Sequence, residues 1–162
     1  QNLTGISNIM SSLKVKTDIT VPAFEIIRTP DWIDEDVKKG LGDKTLFIRR
    51  NVSVGGKPMA CAELYLPGRF IGLFTKADVE KNTVYQIYQK RLGITLGRGR
   101  QIICAAGAQG EVAKSLSIPE NWPILKIERK AYDDKKNLIE FMVLSYEASK
   151  YAFEVELELS KE

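Results

Sequence analysis

The sequence predicts an α+β fold on a mainly antiparallel sheet, because helix and strand signals are mixed and hairpins dominate. A second observation is an internal echo. Val37 to Leu41 followed by Leu46 to Arg50 and a hairpin matches Val112 to Leu116 followed by Leu125 to Arg129 and a hairpin. Each unit reads helix, strand, turn, strand, with an arginine late in its first strand. Two such units can face each other across a shared cleft.

Residues 1–18 are small and polar, with a stripe at Ile6, Ile9, Met10 and Leu13 that reads as a linker with one short entry helix. The domain proper is expected over 19–162. Ile19 to Arg28 is a strand that Pro22 confines to an edge or a bulge. Thr29-Pro30-Asp31 opens a helix carrying Trp32, Ile33 and Val37, which stops near Gly40 and Gly42. Leu46 to Val54 and Met59 to Leu66 form a hairpin through Gly55-Gly56, closed by Pro67-Gly68. Thr75 to Glu80 is a short helix. Asn82 or Thr83 caps another, striped by Val84, Ile87, Tyr88 and Leu92 and ended by Gly93. Ile94 to Ala106 is a strand, and Gly110 to Leu116 a helix before the Ile118-Pro119 break. Ile124 to Tyr132 and Leu138 to Tyr146 make the second hairpin around Asp133 to Asn137. From Tyr151 to Leu159, apolar residues alternate with Glu154, Glu156 and Glu158, which predicts a final strand with one wet face.

The chain has 162 residues, 24 Lys+Arg against 21 Asp+Glu, two cysteines and no histidine. The absence of histidine excludes Ser-His-Asp and Cys-His chemistry, and two cysteines exclude a four-cysteine zinc site. A net charge of +3 is too small and too evenly spread to make a nucleic-acid surface by itself. No apolar run approaches the ~20 residues of a membrane span. A cytoplasmic protein with reduced Cys61 and Cys104 is expected, without cofactor or metal. The start at Gln1 is read as that of a fragment lacking an upstream part.

Period-two reading puts Arg50 on the apolar face of Leu46, Ile48 and Val52, and Arg129 on that of Leu125 and Ile127. Such an arginine is either paired, with Glu63, Glu140 or the chain end, or holds an anion. Pairing is the reading for Arg129; for Arg50 both stand. Glu140 shares a face with Met142, Leu144 and Tyr146, and the carboxylate and phenol can either bind a ligand's polar groups or form a salt bridge beside a rim tyrosine. Glu63 and Tyr65 repeat that pattern. Thr83 opens a helix, where it is a cap or an anion contact. A contact shared by Glu140 and Tyr146 demands a break near Leu144 to Ala148, because six residues span about 20 Å of strand.

The order and spacing of Arg50, Gly56-Lys57-Pro58, Glu63-Leu64-Tyr65-Leu66-Pro67, Thr83-Val84-Tyr85, Glu111 to Leu116, Pro123 to Asp133, Ile139-Glu140 and Tyr146 resemble the UTRA effector-binding domain of HutC-subfamily GntR regulators. The resemblance runs from about Ile6 to Leu159. It implies a chorismate-lyase-like fold, usually dimeric, that binds a small metabolite and controls DNA binding by a separate N-terminal winged-helix domain. It also implies effector contacts at Arg50, Glu63 or its neighbour, Thr83, Glu140 and Tyr146. Val52 and Ala62 stand where sugar-phosphate-sensing members often carry basic and acidic residues, and Glu147 to Tyr151 replaces an Arg-Gly-Asp-Arg-Tyr-like stretch. The expected partners are therefore a small, anionic effector, a second copy of the chain, and DNA only through the missing domain. The rival readings are a lyase of the same fold and a dimerisation module with an empty cleft. With no recognition helix and only +3 net charge, this chain alone is expected to bind no operator specifically; sequence-specific retention in a gel-shift assay at physiological salt would refute this.

Overall fold

The computed structural model describes residues 17–154. The elements are β1 (Thr17–Arg28), α1 (Glu35–Leu41), β2 (Lys44–Val54), β3 (Lys57–Pro67), a 3-10 turn (Gly68–Phe70), α2 (Lys76–Lys81), α3 (Val84–Lys90), β4 (Leu96–Gly107), α4 (Gly110–Leu116), β5 (Pro123–Asp133) and β6 (Leu138–Glu147). Among the described residues the six strands form one sheet of order β1-β2-β3-β6-β5-β4, antiparallel throughout. The predicted fold class and internal repeat are both present. The two hairpins, β2-β3 and β5-β6, abut through β3 and β6, so the repeated halves meet edge to edge in a single sheet.

Local chemistry explains most boundaries. Gly55 and Gly56 both have positive φ, 56° and 75°, as the tight hairpin requires. Pro22 sits on the edge strand β1, at a register break between Thr20 and Ala23. α1 starts at Glu35, later than Thr29-Pro30-Asp31 suggests, because the chain first makes a turn in which Ile33 N–H donates to the Pro30 carbonyl. Trp32 therefore lies on that turn, exposed, with its ring edge on Tyr65. β1 begins two residues before the expected boundary at Ile19, inside the segment read as linker. The stripe from Ile6 to Leu13 lies outside the described residues. Tyr151 to Glu154 are not strand, which corrects the start of the expected last strand; its remainder also lies outside the described residues.

Two helical layers bury the two faces. α2, α3 and the turn before them cover one face with Phe70, Phe74, Val79, Val84, Ile87 and Tyr88, packed on Ile48, Leu64, Met142 and Leu144. On the other face α1 packs Val37 and Leu41 against Phe47, Tyr65 and Phe141, and α4 packs Ala113 and Leu116 near Cys61. Close packing of α1 depends on Gly40, where a Cβ would come within 2.7 Å of Leu138 Cβ and Cδ2. Gly40→Ala is expected to lose roughly 1–3 kcal/mol, the range for overpacking a core, measured by urea denaturation; an unchanged midpoint would mean that α1 can shift without loss.

Candidate functional site

One bulge organises the face under α3. Along β5 the partner on β6 jumps from Glu140, opposite Ala131, to Leu138, opposite Tyr132, leaving Ile139 as an extra residue. A bulge re-aims the strand and frees backbone groups that need partners. Tyr88 O–H donates to the Ile139 carbonyl at 2.5 Å and Arg69 to the Leu138 carbonyl at 2.5 Å. One helical turn before Tyr88, Tyr85 O–H donates to Glu140 Oε1 at 2.7 Å. Tyr85 and Tyr88, three residues apart on α3, thus hold the bulge from above.

Two arginines stand to either side. Arg50 on β2 and Arg129 on β5 lie on the face of Glu140, three strand spacings or about 14 Å apart at the backbone, and both act on the Glu140 carboxylate. Arg129 is buried and donates from Nε and Nη2 to Gln101 Oε1 on β4, at 3.1 and 2.9 Å. Arg50 has no such partner: its Nε is buried without a hydrogen bond among the described residues. Burial lowers the Arg50 pKa, against the opposing pull of Glu140. Burial raises that of Glu140, opposed by the Tyr85 hydrogen bond and the charges of Arg129 and Arg50. Tyr85 is pushed up by its own burial and then by Glu140.

The other predicted residues are distributed unevenly. Tyr146 shares this face, is buried, and stacks flat on Tyr151 with centroids 3.9 Å apart. Thr83 caps α3: its hydroxyl accepts from Gln86 N–H and its own N–H donates to Gln86 Oε1, so both groups are engaged in a capping box. Glu63 and Tyr65 point to the opposite face. Glu63 pairs with Arg49, its cross-strand neighbour, at 2.9 Å, and Tyr65 packs in the aromatic cluster with Phe47 and Phe141. The expected pairing of Glu63 with Arg50 or Arg129 is thus replaced by a pair with Arg49, because odd and even positions of β2 face opposite ways.

The break expected near Leu144 to Ala148 comes only at Ala148, where a turn follows β6, so the strand runs regularly through both Glu140 and Tyr146. The irregularity sits at the other end, beside Glu140. The sequence reading missed Tyr85 and Gln101 as members of the cluster; a tyrosine three residues before Tyr88 on a helix was the signal for the first, and none existed for the second. A separate surface crevice of about 600 Å³ opens beside Lys39, Lys44 and Arg69 and contains none of the predicted residues.

The profile of the UTRA domain matches residues 13–152. The chain belongs to the UTRA domain family. It is 28% identical over 155 residues to an HTH-type transcriptional regulator of Mycobacterium tuberculosis, covering 94% of this chain and 56% of the relative. It is 24% identical over 153 residues to MngR of Escherichia coli, the mannosyl-D-glycerate transport/metabolism system repressor, covering 93% of this chain and 62% of the relative. The UTRA chain therefore spans little more than half the length of these relatives. The effector domain of PhnF from Mycobacterium smegmatis superposes with a TM-score of 0.82 at 17% identity, covering 98% of both chains. That likeness shows the fold.

The raised pKa of Glu140 fixes the sign of a stability effect. From an ordinary 4.5 upwards the folded chain keeps a proton that the unfolded chain has released, so this group's contribution falls as pH rises through the raised value. Glu140→Gln should remove that slope. Urea unfolding of both proteins from about pH 4.5 to neutrality is expected to show the parent losing stability relative to the variant; parallel curves would mean that Glu140 ionises normally.

Proposed function

We propose that this UTRA domain is the effector-sensing part of a dimeric, cytoplasmic transcriptional regulator. In this reading it binds a small anionic metabolite and controls DNA binding by a separate N-terminal domain. The observation that carries the reading is Arg50, half-buried on a core face, whose buried Nε has no hydrogen-bond partner among the described residues. A buried cation needs an acceptor, and the cluster holds two guanidiniums to one carboxylate, so an anionic ligand would balance it. The names of the relatives as transcriptional regulators support the regulatory role.

The ligand is held by Arg50 and Glu140, with Tyr85 orienting the carboxylate and Arg129 adding positive charge. Glu140 and Tyr146 sit six residues apart on an unbroken strand, so a ligand at Arg50 and Glu140 meets Tyr146 only by extending one same-face step beyond the level of Arg50. Thr83 acts by fixing the start of α3. Binding shifts the populations of two dimer arrangements and so the spacing of the DNA-reading domains. Nothing in the reading requires turnover: mass spectrometry of ligand carried through purification should recover it unaltered.

Arg50→Ala tests the anchor. The variant should stay folded, because Arg50 makes no close ion pair among the described residues, yet bind the recovered effector more weakly by roughly 1.5–3 kcal/mol, the range for charged hydrogen bonds. Unchanged affinity in calorimetry would remove Arg50 from the site, and loss of folding would make it a structural residue.

A further inference from the structure

The strand register lays out what surrounds Arg50 on its face. Arg50 stands opposite Ala62 on β3, and Ala62 opposite Leu144 on β6. One same-face step along lie Val52, Ala60 and Tyr146; one step the other way, toward Glu140, Leu64 pairs with Met142. All of these neighbours are buried, and apart from the Tyr146 phenol none carries a side-chain nitrogen or oxygen. The other charged groups described on the face are engaged: Glu140 accepts from Tyr85, and Arg129 donates twice to Gln101. Arg50 is thus one guanidinium set in an apolar floor.

We infer that the effector is a monocarboxylate with an apolar body, its head on the Arg50 fork and its aliphatic or aromatic body covering the floor between Arg50 and Glu140. This rests on Arg50 as the anchor of the proposed function and names the class of molecule that the anchor's surroundings select. A single planar guanidinium offers parallel N–H donors that match the two oxygens of one carboxylate. A phosphate dianion is better served by a second cation, but Arg129 stands three strand spacings away and is tied to Gln101. The floor discriminates more strongly than the head. A buried hydroxyl without a partner is costly to desolvate, and a sugar phosphate would bring several over Ala62, Leu64, Met142 and Leu144, which neither donate nor accept. A hydrocarbon body on the same floor gains from every group it removes from water. Ala62, directly opposite Arg50, has the smallest side chain between the guanidinium and Glu140, and the body lies over it.

The test is calorimetry of the full chain, dialysed exhaustively, with butanoate, hexanoate and octanoate. The Kd should fall roughly three- to fourfold per added methylene, the factor for burying one. Both 1-octanol, the same body without charge, and glucose 6-phosphate should bind more weakly than octanoate by roughly tenfold or more, the factor for losing a charged hydrogen bond or stranding a buried hydroxyl. Arg50→Ala should weaken octanoate by a similar factor. Arg50→Lys, which keeps the charge and loses the fork, gives the same readout should the alanine variant misfold. Affinity that does not change with chain length, or that 1-octanol matches, overturns the class. Tighter binding of glucose 6-phosphate that is lost in the Arg50 variants overturns the class and leaves Arg50 as the anchor. A chain-length series that both Arg50 variants leave unmoved overturns the class and the anchor together. No binding of any of the three carboxylates overturns the class, while an effector recovered from the purified chain that needs Arg50 keeps the proposed function standing.

Discussion

The bulge at Ile139 and Glu140 is the constraint on which the rest of this face depends. One extra residue in β6 leaves backbone carbonyls of a buried strand off the ladder, and an unsatisfied buried polar group costs about 1–3 kcal/mol. Tyr88 and Arg69 satisfy those carbonyls, and the same helix then delivers Tyr85 to the Glu140 carboxylate. α3 is therefore positioned by what it must hydrogen-bond as well as by the apolar side of Val84 and Ile87. Its capping box, with Thr83 and Gln86 satisfying each other, fixes the first turn that presents Tyr85. Strand irregularity, helix placement and carboxylate orientation form one arrangement.

The charges follow from that placement. The opposite face settles its own account locally: Arg49 takes Glu63 as a cross-strand partner and also approaches Glu111 on α4 at 3.6 Å. The face of Arg50 carries two guanidiniums around a single carboxylate whose own pKa is raised by burial. Because Glu63 lies on the other side, Arg50 has no cross-strand carboxylate. A one-residue difference in strand phase thus decides which arginine has a cross-strand carboxylate and which has none.

Much of the architecture was legible in the sequence because its signals are local. Gly55-Gly56 fixes the first hairpin, Thr75 and Thr83 cap their helices, and the segment Gly110 to Leu116 is helical at those bounds. Period-two counting correctly set Arg50 on one face with Ile48 and Val52, and Glu140 on one face with Met142, Leu144 and Tyr146. The same counting failed at Glu63 and Tyr65, because parity fixes faces only within a strand, whereas the relation between strands depends on register. Leu138 and Glu140 differ by two yet face opposite ways, since the bulge inserts Ile139 between them. Tyr85 entered the site through tertiary packing, and Gln101 through a pairing of β4 with β5 that no local pattern encodes.

The internal repeat gives the site its asymmetry. Arg50 and Arg129 occupy matching positions in the two helix–hairpin units, and the sheet places those units about an approximate two-fold axis between β3 and β6. Outside each unit lies one further strand, and there the halves differ. β4 supplies Gln101, which takes two hydrogen bonds from Arg129 and satisfies it. β1 offers Arg50 no equivalent, being broken in register between Thr20 and Ala23 just where its ladder passes from Asn51 to Arg49. The same residue in two copies of one motif thus meets an acceptor on one side and a bulged strand on the other. A symmetry of fold becomes an asymmetry of pairing, with one arginine tied to the sheet edge and the other left facing the buried carboxylate.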